Sequence, residues 1–131
     1  GALRMPYAYA YQPLLQTNGW MPLGTDFPVE DMNPRHTFYA AVFRKDAKGF
    51  PEGGFQVEHA LSREQALRGM TIWAAKAGFQ EKERGSLEVG KAADFILYDT
   101  DLMRCLPQDV LKAKVLATYV DGVQVYSATA N

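Results

Sequence analysis

The clearest periodic pattern of apolar and polar residues lies between residues 62 and 78. Ser62 and Gln65 stand at the two ends of a capping box, in which each side chain pairs with the other residue's backbone N–H. Gly78 is a suitable C-terminal stop. Apolar residues recur between them at helical spacing: Leu67, Met70, Ala74 and Ala77. The pattern predicts one helix, and Gly69 inside it indicates close packing against a neighbour.

Weaker patterns divide the N-terminal part of the chain. Apolar and aromatic runs predict two more helices and a short strand, and Pro- and Gly-rich stretches predict the loops between them. The predicted elements are a helix at Tyr7–Thr17 ended by Asn18-Gly19, a strand at Trp20–Leu23, a loop at Gly24–Arg35, a helix at Thr37–Arg44 and a loop at Lys45–Val57.

The C-terminal part reads as strands. Short apolar runs predict strands at Phe95–Tyr98, Val115–Val120 and Val123–Tyr126, and Pro107 opens a short helical turn within Leu106–Lys112. Asp121-Gly122 lies between the last two strands and suits a type I′ turn, because both central residues of that turn need positive φ. A C-terminal hairpin is therefore expected.

Length and composition narrow the class of protein. The chain has 131 residues, 47% of them hydrophobic and 22% charged, with a net charge of −1. It is too short for a complete eight-stranded α/β barrel, which needs about 250 residues. Its basic residues are scattered, so no nucleic-acid partner is expected. No apolar run approaches the roughly 20 residues of a membrane span, so no membrane partner is expected either.

Cys105 is the only cysteine, which excludes an internal disulfide and suits a reducing compartment. We therefore expect a cytoplasmic protein. The sequence begins with Gly1 rather than Met and lacks the apolar core of a signal peptide there. We expect this to be a scar or a break point within a longer chain, whose upstream part could carry a signal sequence.

The candidate for chemistry is Asp26, in Gly24-Thr25-Asp26-Phe27-Pro28. It follows the predicted strand Trp20–Leu23, and α/β barrels carry their chemistry on the loops after the strands. A carboxylate there can bind a divalent metal or accept a proton from metal-bound water. Spacing alone favours the plainer interpretation, an Asp that caps a turn or helix.

The order of motifs along the chain favours the functional interpretation of Asp26 over the plainer one. Gly24–Pro28, the helix within Ser62–Ala77, the turn Gly85–Phe95 and the hairpin Val115–Tyr126 together resemble the C-terminal end of metal-dependent amidohydrolases, most closely the amidohydrolase-3 branch. The resemblance implies an α/β fold: the last βα unit of a TIM-type (β/α)8 barrel plus part of a small β-sandwich. Residues 1–80 would end the barrel domain, and residues 81–131 would be the C-terminal strands of the sandwich.

The resemblance also implies a role for Asp26. In the family the matching Asp is a metal ligand and shuttles a proton, so the parent enzyme would hydrolyse C–N bonds of a small amide-like or N-acyl substrate with water activated by a divalent metal, zinc by expectation. The family's His-x-His is missing, and the only histidines are His36 and His59. The chain alone is therefore expected to be inactive and to bind no metal.

Other candidate residues have plainer interpretations. His36 could bind substrate or a second metal, but a loop histidine with a water or backbone partner is favoured, and the same holds for His59. Glu30 and Asp31 read as a solvated loop rather than an acid–base pair. Cys105 reads as a spectator rather than a nucleophile.

Gly85–Lys91 reads as a structural turn. It departs from the phosphate-loop pattern, because Ala92 follows Lys91 and a strand follows instead of a helix.

Two alternatives to a catalytic fragment remain open. The chain could be a non-catalytic module that self-associates through exposed sheet edges. It could also be one half of a split hydrolase whose histidine ligands come from a complementary chain.

Overall fold

The N-terminal part of the computed structural model, which describes residues 2–128, is helical, and the C-terminal part is a small sheet. The helices are α1 (Tyr11–Asn18), α2 (Pro34–Phe43), α3 (Arg63–Met70), α4 (Ile72–Ala77) and α5 (Pro107–Val110), with 3-10 turns at Ala2–Tyr7 and Val57–His59. The strands are β1 (Phe95–Tyr98), β2 (Val115–Val120) and β3 (Val123–Ser127). None of the helices in residues 2–128 has the length and apolar character needed to span a membrane.

The residues at the ends of the first two helices determine where each helix begins and ends. Tyr9 adopts a left-handed φ of 55°, so α1 begins at Tyr11 and not at Tyr7 as predicted. Gly19, at φ 77°, ends α1 by donating its N–H to Leu15 O at 2.7 Å. Asn33 caps α2 by accepting the N–H of Arg35, and Pro34 fills the first helical position, so α2 begins before the predicted Thr37.

The capping box of α3 forms as predicted. The Ser62 hydroxyl accepts the Gln65 N–H at 3.1 Å, and the Gln65 side chain accepts the Ser62 N–H at 2.8 Å. The single helix predicted as far as Ala77 is wrong, because Thr71 (φ −123°, ψ −97°) separates α3 from α4. The break lies beside a tertiary contact: Gly69 O accepts the Leu23 N–H at 2.9 Å, and Thr71 N–H bonds Arg68 O, a 3-10 bond.

The strand predicted at Trp20–Leu23 is also wrong. The segment has no regular secondary structure, and no strand within residues 2–128 pairs with it. A strand exists only when a neighbour satisfies its backbone groups, and here Leu23 bonds a helix carbonyl instead. The segment still lies tightly against α3, since a Cβ at Gly69 would come within 2.7 Å of Leu23 Cγ.

The C-terminal sheet agrees closely with prediction. Its strands run in the order β1-β2-β3, and both pairings are antiparallel. Asp121 and Gly122 have φ of 50° and 76°, as the type I′ turn requires. Phe95 lies opposite Tyr119, and their rings stack with centroids 4.5 Å apart.

One hydrophobic core joins the helices to the segment before β2. Phe38 of α2 and Val110 of α5 are its largest fully buried side chains. Arg63 of α3 donates to Cys105 O at 2.6 Å, and Arg35 of α2 donates to Ala113 O. The core therefore crosses residues 80 and 81, where the sequence suggested a domain boundary, and that division stays a prediction.

Candidate active-site loop and cavity

Asp26 lies at the tip of a loop directly after the segment packed on α3. Its side chain is exposed, and its carboxylate has no hydrogen bond or ion pair with any other described residue. The backbone turns sharply there, because Asp26 O accepts the Val29 N–H at 2.8 Å. Asp26 has a φ of 53°, a left-handed conformation that Asp tolerates better than most residues. The fold thus places an unpartnered carboxylate at an exposed turn.

The end of this Asp26 loop (residues 24–33) is fixed by side chains that bond their own backbone. The Asp31 carboxylate accepts the Asn33 N–H at 2.7 Å. The Asn33 side chain in turn accepts both the backbone N–H and the Nε–H of Arg35, at 3.1 and 2.9 Å. Asp31 therefore has a local structural task, which agrees with its interpretation as a loop residue rather than a partner in acid–base work.

A cavity of about 760 Å³ lies between the Asp26 loop and α2. Its size falls in the range of small-molecule sites. The residues of the Arg44 cavity, as we name it, include Gly24, Thr25, Glu30 and Asp31 of the loop and His36 and Arg44 from α2 and its C-cap. Asp26 itself is not among the described residues that line it.

The two histidines differ in their surroundings. His36 is half-buried on the wall of the Arg44 cavity, and its ring has no hydrogen bond to another described residue. His59 Nε2 lies 3.1 Å from Pro6 O, a backbone partner of the kind expected from sequence. Only His36 thus lies beside the Asp26 loop.

The described side chains do not make up a metal site by themselves. Within residues 2–128, no group of three or more His, Cys, Asp or Glu side chains is placed to hold a metal ion. Zinc takes at least three protein ligands, and Asp26 offers a single carboxylate. The donor set of this stretch of chain is therefore too small for such a site.

Arg44 is the residue of the cavity that sequence reasoning missed. It caps α2 in a left-handed conformation (φ 57°), and only 7% of its surface is exposed. Its Nε–H donates to Phe55 O at 2.8 Å, and its guanidinium lies 4.8 Å from the Tyr11 ring centroid. Nη2 is buried without a hydrogen-bond partner among the described residues. An Arg after the apolar run Ala40–Phe43 hinted at a helix end, but its burial depends on Tyr11 and Phe55, which are distant in sequence.

The Gly85–Lys91 turn is closed by its own side chains. Lys91 Nζ donates to the Ser86 hydroxyl at 2.7 Å and lies 3.3 Å from the Glu88 carboxylate. Hydrogen bonds from the Ser86 and Lys91 side chains to the Glu88 carboxylate, together with the charge of Lys91, hold the pKa of Glu88 below its usual value. With the lysine engaged and β1 following, the turn is structural, as predicted.

Cys105 is half-buried beside a structural arginine. Its Sγ lies 3.7 Å from Arg63 Nη1, and its carbonyl accepts a hydrogen bond from Arg63 Nη2. The spectator role expected from sequence stays a prediction.

Comparison with known proteins adds a family and several relatives. A family model described as "Amidohydrolase family" matches residues 1–126. Over 119 residues the chain is 40% identical to the protein LONG AFTER FAR-RED 3 of Arabidopsis thaliana, covering 91% of this chain and 20% of that protein. Over 121 residues it is 31% identical to an N-substituted formamide deformylase of Arthrobacter pascens, covering 92% of this chain and 22% of that protein.

A solved amidohydrolase from Thermotoga maritima matches 53% of this chain and 17% of its own, with 31% identity and a TM-score of 0.45. The chain spans about a fifth of the length of the curated relatives it matches.

Proposed function

Because the chain belongs to the amidohydrolase family, we propose that it is the C-terminal part of a metal-dependent enzyme that hydrolyses C–N bonds. The observation that carries the proposal is the Asp26 loop, with an unpartnered carboxylate at its tip and a cavity of small-molecule size along its side. Asp26 supplies one ligand to a divalent metal, zinc by expectation. The remaining ligands come from residues outside this stretch of chain.

In this proposal the Asp26 loop holds a proton acceptor at the reacting bond. A carboxylate that is exposed and has no partner is free to take a proton from the attacking water and to deliver it to the leaving nitrogen. The bond from Asp31 to the Asn33 N–H fixes the return of the loop into α2. The packing of Leu23 on Gly69 fixes its start.

The proposed architecture is the end of a TIM-type barrel followed by part of a β-sandwich. Neighbouring residues on a strand face opposite sides of a sheet, and Ile96 and Leu97 of β1 are both nearly half exposed. Apolar surface on both faces supports a sheet that is covered by further strands in the complete protein.

The substrate we propose is a small amide-like or N-acyl compound. One relative carries the name N-substituted formamide deformylase, so N-substituted formamides are the first compounds to try, followed by other N-acyl amines.

The test is hydrolysis by the protein in its natural full-length form. Replacing Asp26→Asn keeps the size of the side chain but removes its basicity, and we expect the rate to fall about 10²- to 10⁴-fold, the usual range for general acid–base catalysis. Asp121→Asn is the matched control, since Asp121 is likewise exposed with a left-handed φ of 50° and does not line the cavity. An Asp26→Asn protein that is folded and hydrolyses as fast as wild type contradicts the proposal.

A second candidate is a non-catalytic, self-associating module or one half of a split hydrolase. It is favoured by exposed apolar side chains on the edge strand β3, where Val123 and Val125 are 65% and 60% exposed. Sedimentation of the purified protein tests self-association. Restored hydrolysis on mixing with a complementary chain identifies the split enzyme.

A further inference from the structure

We infer that the Arg44 cavity binds the carboxylate of a small aromatic acid and that Arg44 is the residue that recognises it. The inference rests on the proposed function only for the interpretation of this ligand as a substrate or product. Binding itself requires no hydrolysis and no metal.

The first support is the lack of a counter-ion for a buried charge. Arg44 is 7% exposed, and none of the ion pairs within residues 2–128 includes it. A buried charge is strongly unfavourable unless it is paired and its hydrogen-bond donors are satisfied. One bond to Phe55 O leaves most of the donors of this guanidinium unused.

Two other arginines show what a structural arginine looks like in the same protein. Arg63 donates to the carbonyls of Leu102 and Cys105. Arg35 donates to Ala113 O and to the Asn33 side chain. Each has at least two partners and bridges separate segments of the chain, whereas Arg44 donates to one carbonyl and leaves Nη2 without a partner. Of these three arginines, Arg44 is the one with donors left for a ligand.

The second support is the chemistry of the cavity wall. Aromatic side chains line it beside Arg44: Tyr9, Tyr11, Phe50 and Phe55. The Arg44 guanidinium lies 4.8 Å from the Tyr11 centroid and 5.6 Å from that of Phe55. A cation close to aromatic rings suits a ligand that has an anionic head and an aromatic body.

Acidic side chains also line the cavity, but they differ from Arg44 in exposure. Glu30, Asp31 and Asp46 are all exposed, so water screens their charges. Asp46 is further occupied, since its carboxylate accepts the N–H groups of Lys48 and Phe50 at 2.8 and 2.9 Å. The charge at the cavity that water screens least is therefore that of the Arg44 guanidinium.

The form of the guanidinium selects a carboxylate. The planar fork of a guanidinium matches the two oxygens of a carboxylate, a geometry that an ammonium group does not offer. Since Nε is bonded to Phe55 O and Nη2 is buried, a carboxylate reaches both terminal nitrogens of Arg44 only when Nη2 turns toward the cavity. A neutral amide of the same shape has one acceptor oxygen and presents an NH₂ group that would face the guanidinium. Discrimination between acid and amide is the property that this site predicts.

The experiment compares phenylacetate with phenylacetamide as ligands of the protein in its natural full-length form, by calorimetric titration. We expect the carboxylate to bind at least about tenfold more tightly, as charge-assisted hydrogen bonds do. Arg44→Met should abolish this preference, and Arg44→Lys should weaken it because the fork is lost. Lys82→Met is the matched control: it removes an exposed cation that does not line the cavity and should leave the preference intact.

Equal affinity of wild type for the acid and the amide, or no binding of either, overturns the inference. A folded Arg44→Met protein that still prefers the acid also overturns it and leaves Arg44 as a structural residue only. If Arg44→Met does not fold, the wild-type comparison and Arg44→Lys decide. Hydrolysis by the wild-type protein is measured separately. A wild-type protein that prefers the acid but hydrolyses no C–N bond rejects the proposed function alone. A wild-type protein that hydrolyses such bonds but does not prefer the acid rejects the carboxylate site alone.

Discussion

Two glycine-containing loops are anchored on consecutive helices, one on α3 and the other on α4, and use their acidic residues in opposite ways. The Asp26 loop follows Leu23, which packs on Gly69 of α3, and its tip carboxylate is free. The Gly85–Lys91 turn packs at Gly85, where a Cβ would come within 2.9 Å of Ile72 Cα of α4, and its Glu88 carboxylate is paired with Lys91. Similar anchoring therefore supports a candidate site in one loop and a closed turn in the other.

The difference separates a carboxylate that is free to bind a partner from one that is already engaged. Both loops are exposed and both have glycines, so neither composition nor exposure separates them. What differs is whether the carboxylate is already satisfied by its own loop, as Glu88 is by Lys91 and Asp31 is by the Asn33 N–H. Asp26 keeps its full capacity for a proton or a ligand.

The largest effect on this comparison should come from disturbing the anchor of the Asp26 loop. In Gly69→Ala the new Cβ would lie 2.7 Å from Leu23 Cγ and 3.1 Å from Met21 O. Overpacking costs about 1–3 kcal/mol, and the better helix propensity of Ala returns about 1 kcal/mol. We expect the free energy of unfolding to fall by about 1 kcal/mol in denaturant titrations and hydrolysis to fall with it, because the loop moves.

Gly53→Ala is the control for that substitution. A Cβ at Gly53 meets nothing within 4 Å, so the change should be neutral or slightly stabilising. Equal stability of the Gly69→Ala protein and wild type would mean that Leu23 moves aside easily and that α3 does not fix the loop.

The smallest effect should come from opening the closed turn. Since the pKa of Glu88 is lowered by Ser86 and Lys91, its pairing stabilises the fold above the ordinary carboxyl pKa and is lost as pH falls through the lowered value. Thermal melts of wild type and Glu88→Gln between pH 6 and pH 3 should differ slightly near neutrality and converge in acid. The difference stays small because the pair is exposed.

Salt provides the control for the Glu88 prediction. In about 1 M salt, where screening reaches within about 3 Å, the difference between wild type and Glu88→Gln should shrink even at pH 6. A difference that is large, or independent of both pH and salt, contradicts the pairing with Lys91.

Local signals predicted most of the elements correctly. The α3 capping box, the Asp121-Gly122 turn and the bounds of β1 and β2 depend on residues close in sequence, and the structure confirms them. The packing expected at Gly69 is confirmed too. The match of the amidohydrolase family model over residues 1–126 confirms the resemblance carried by the order of motifs.

The predictions were wrong where contacts between residues distant in sequence determine the local structure. An apolar run at Trp20–Leu23 is not a strand without a neighbouring strand, and Leu23 bonds Gly69 O instead. The helix predicted through Thr71 breaks near that same contact. Arg44 escaped notice because its burial requires Tyr11 and Phe55 to come together around it. The role of Asp26 stays a prediction, since it depends on ligands outside the described residues.

The most direct measurement is the metal content of the full-length protein beside its Asp26→Asn variant, by elemental analysis after removal of loosely bound ions. We expect wild type to retain a divalent metal, zinc foremost, and the folded variant to retain less and to hydrolyse more slowly, because one ligand is weakened. A variant that keeps as much metal as wild type and hydrolyses as fast would show that Asp26 is a turn residue and not part of the active site.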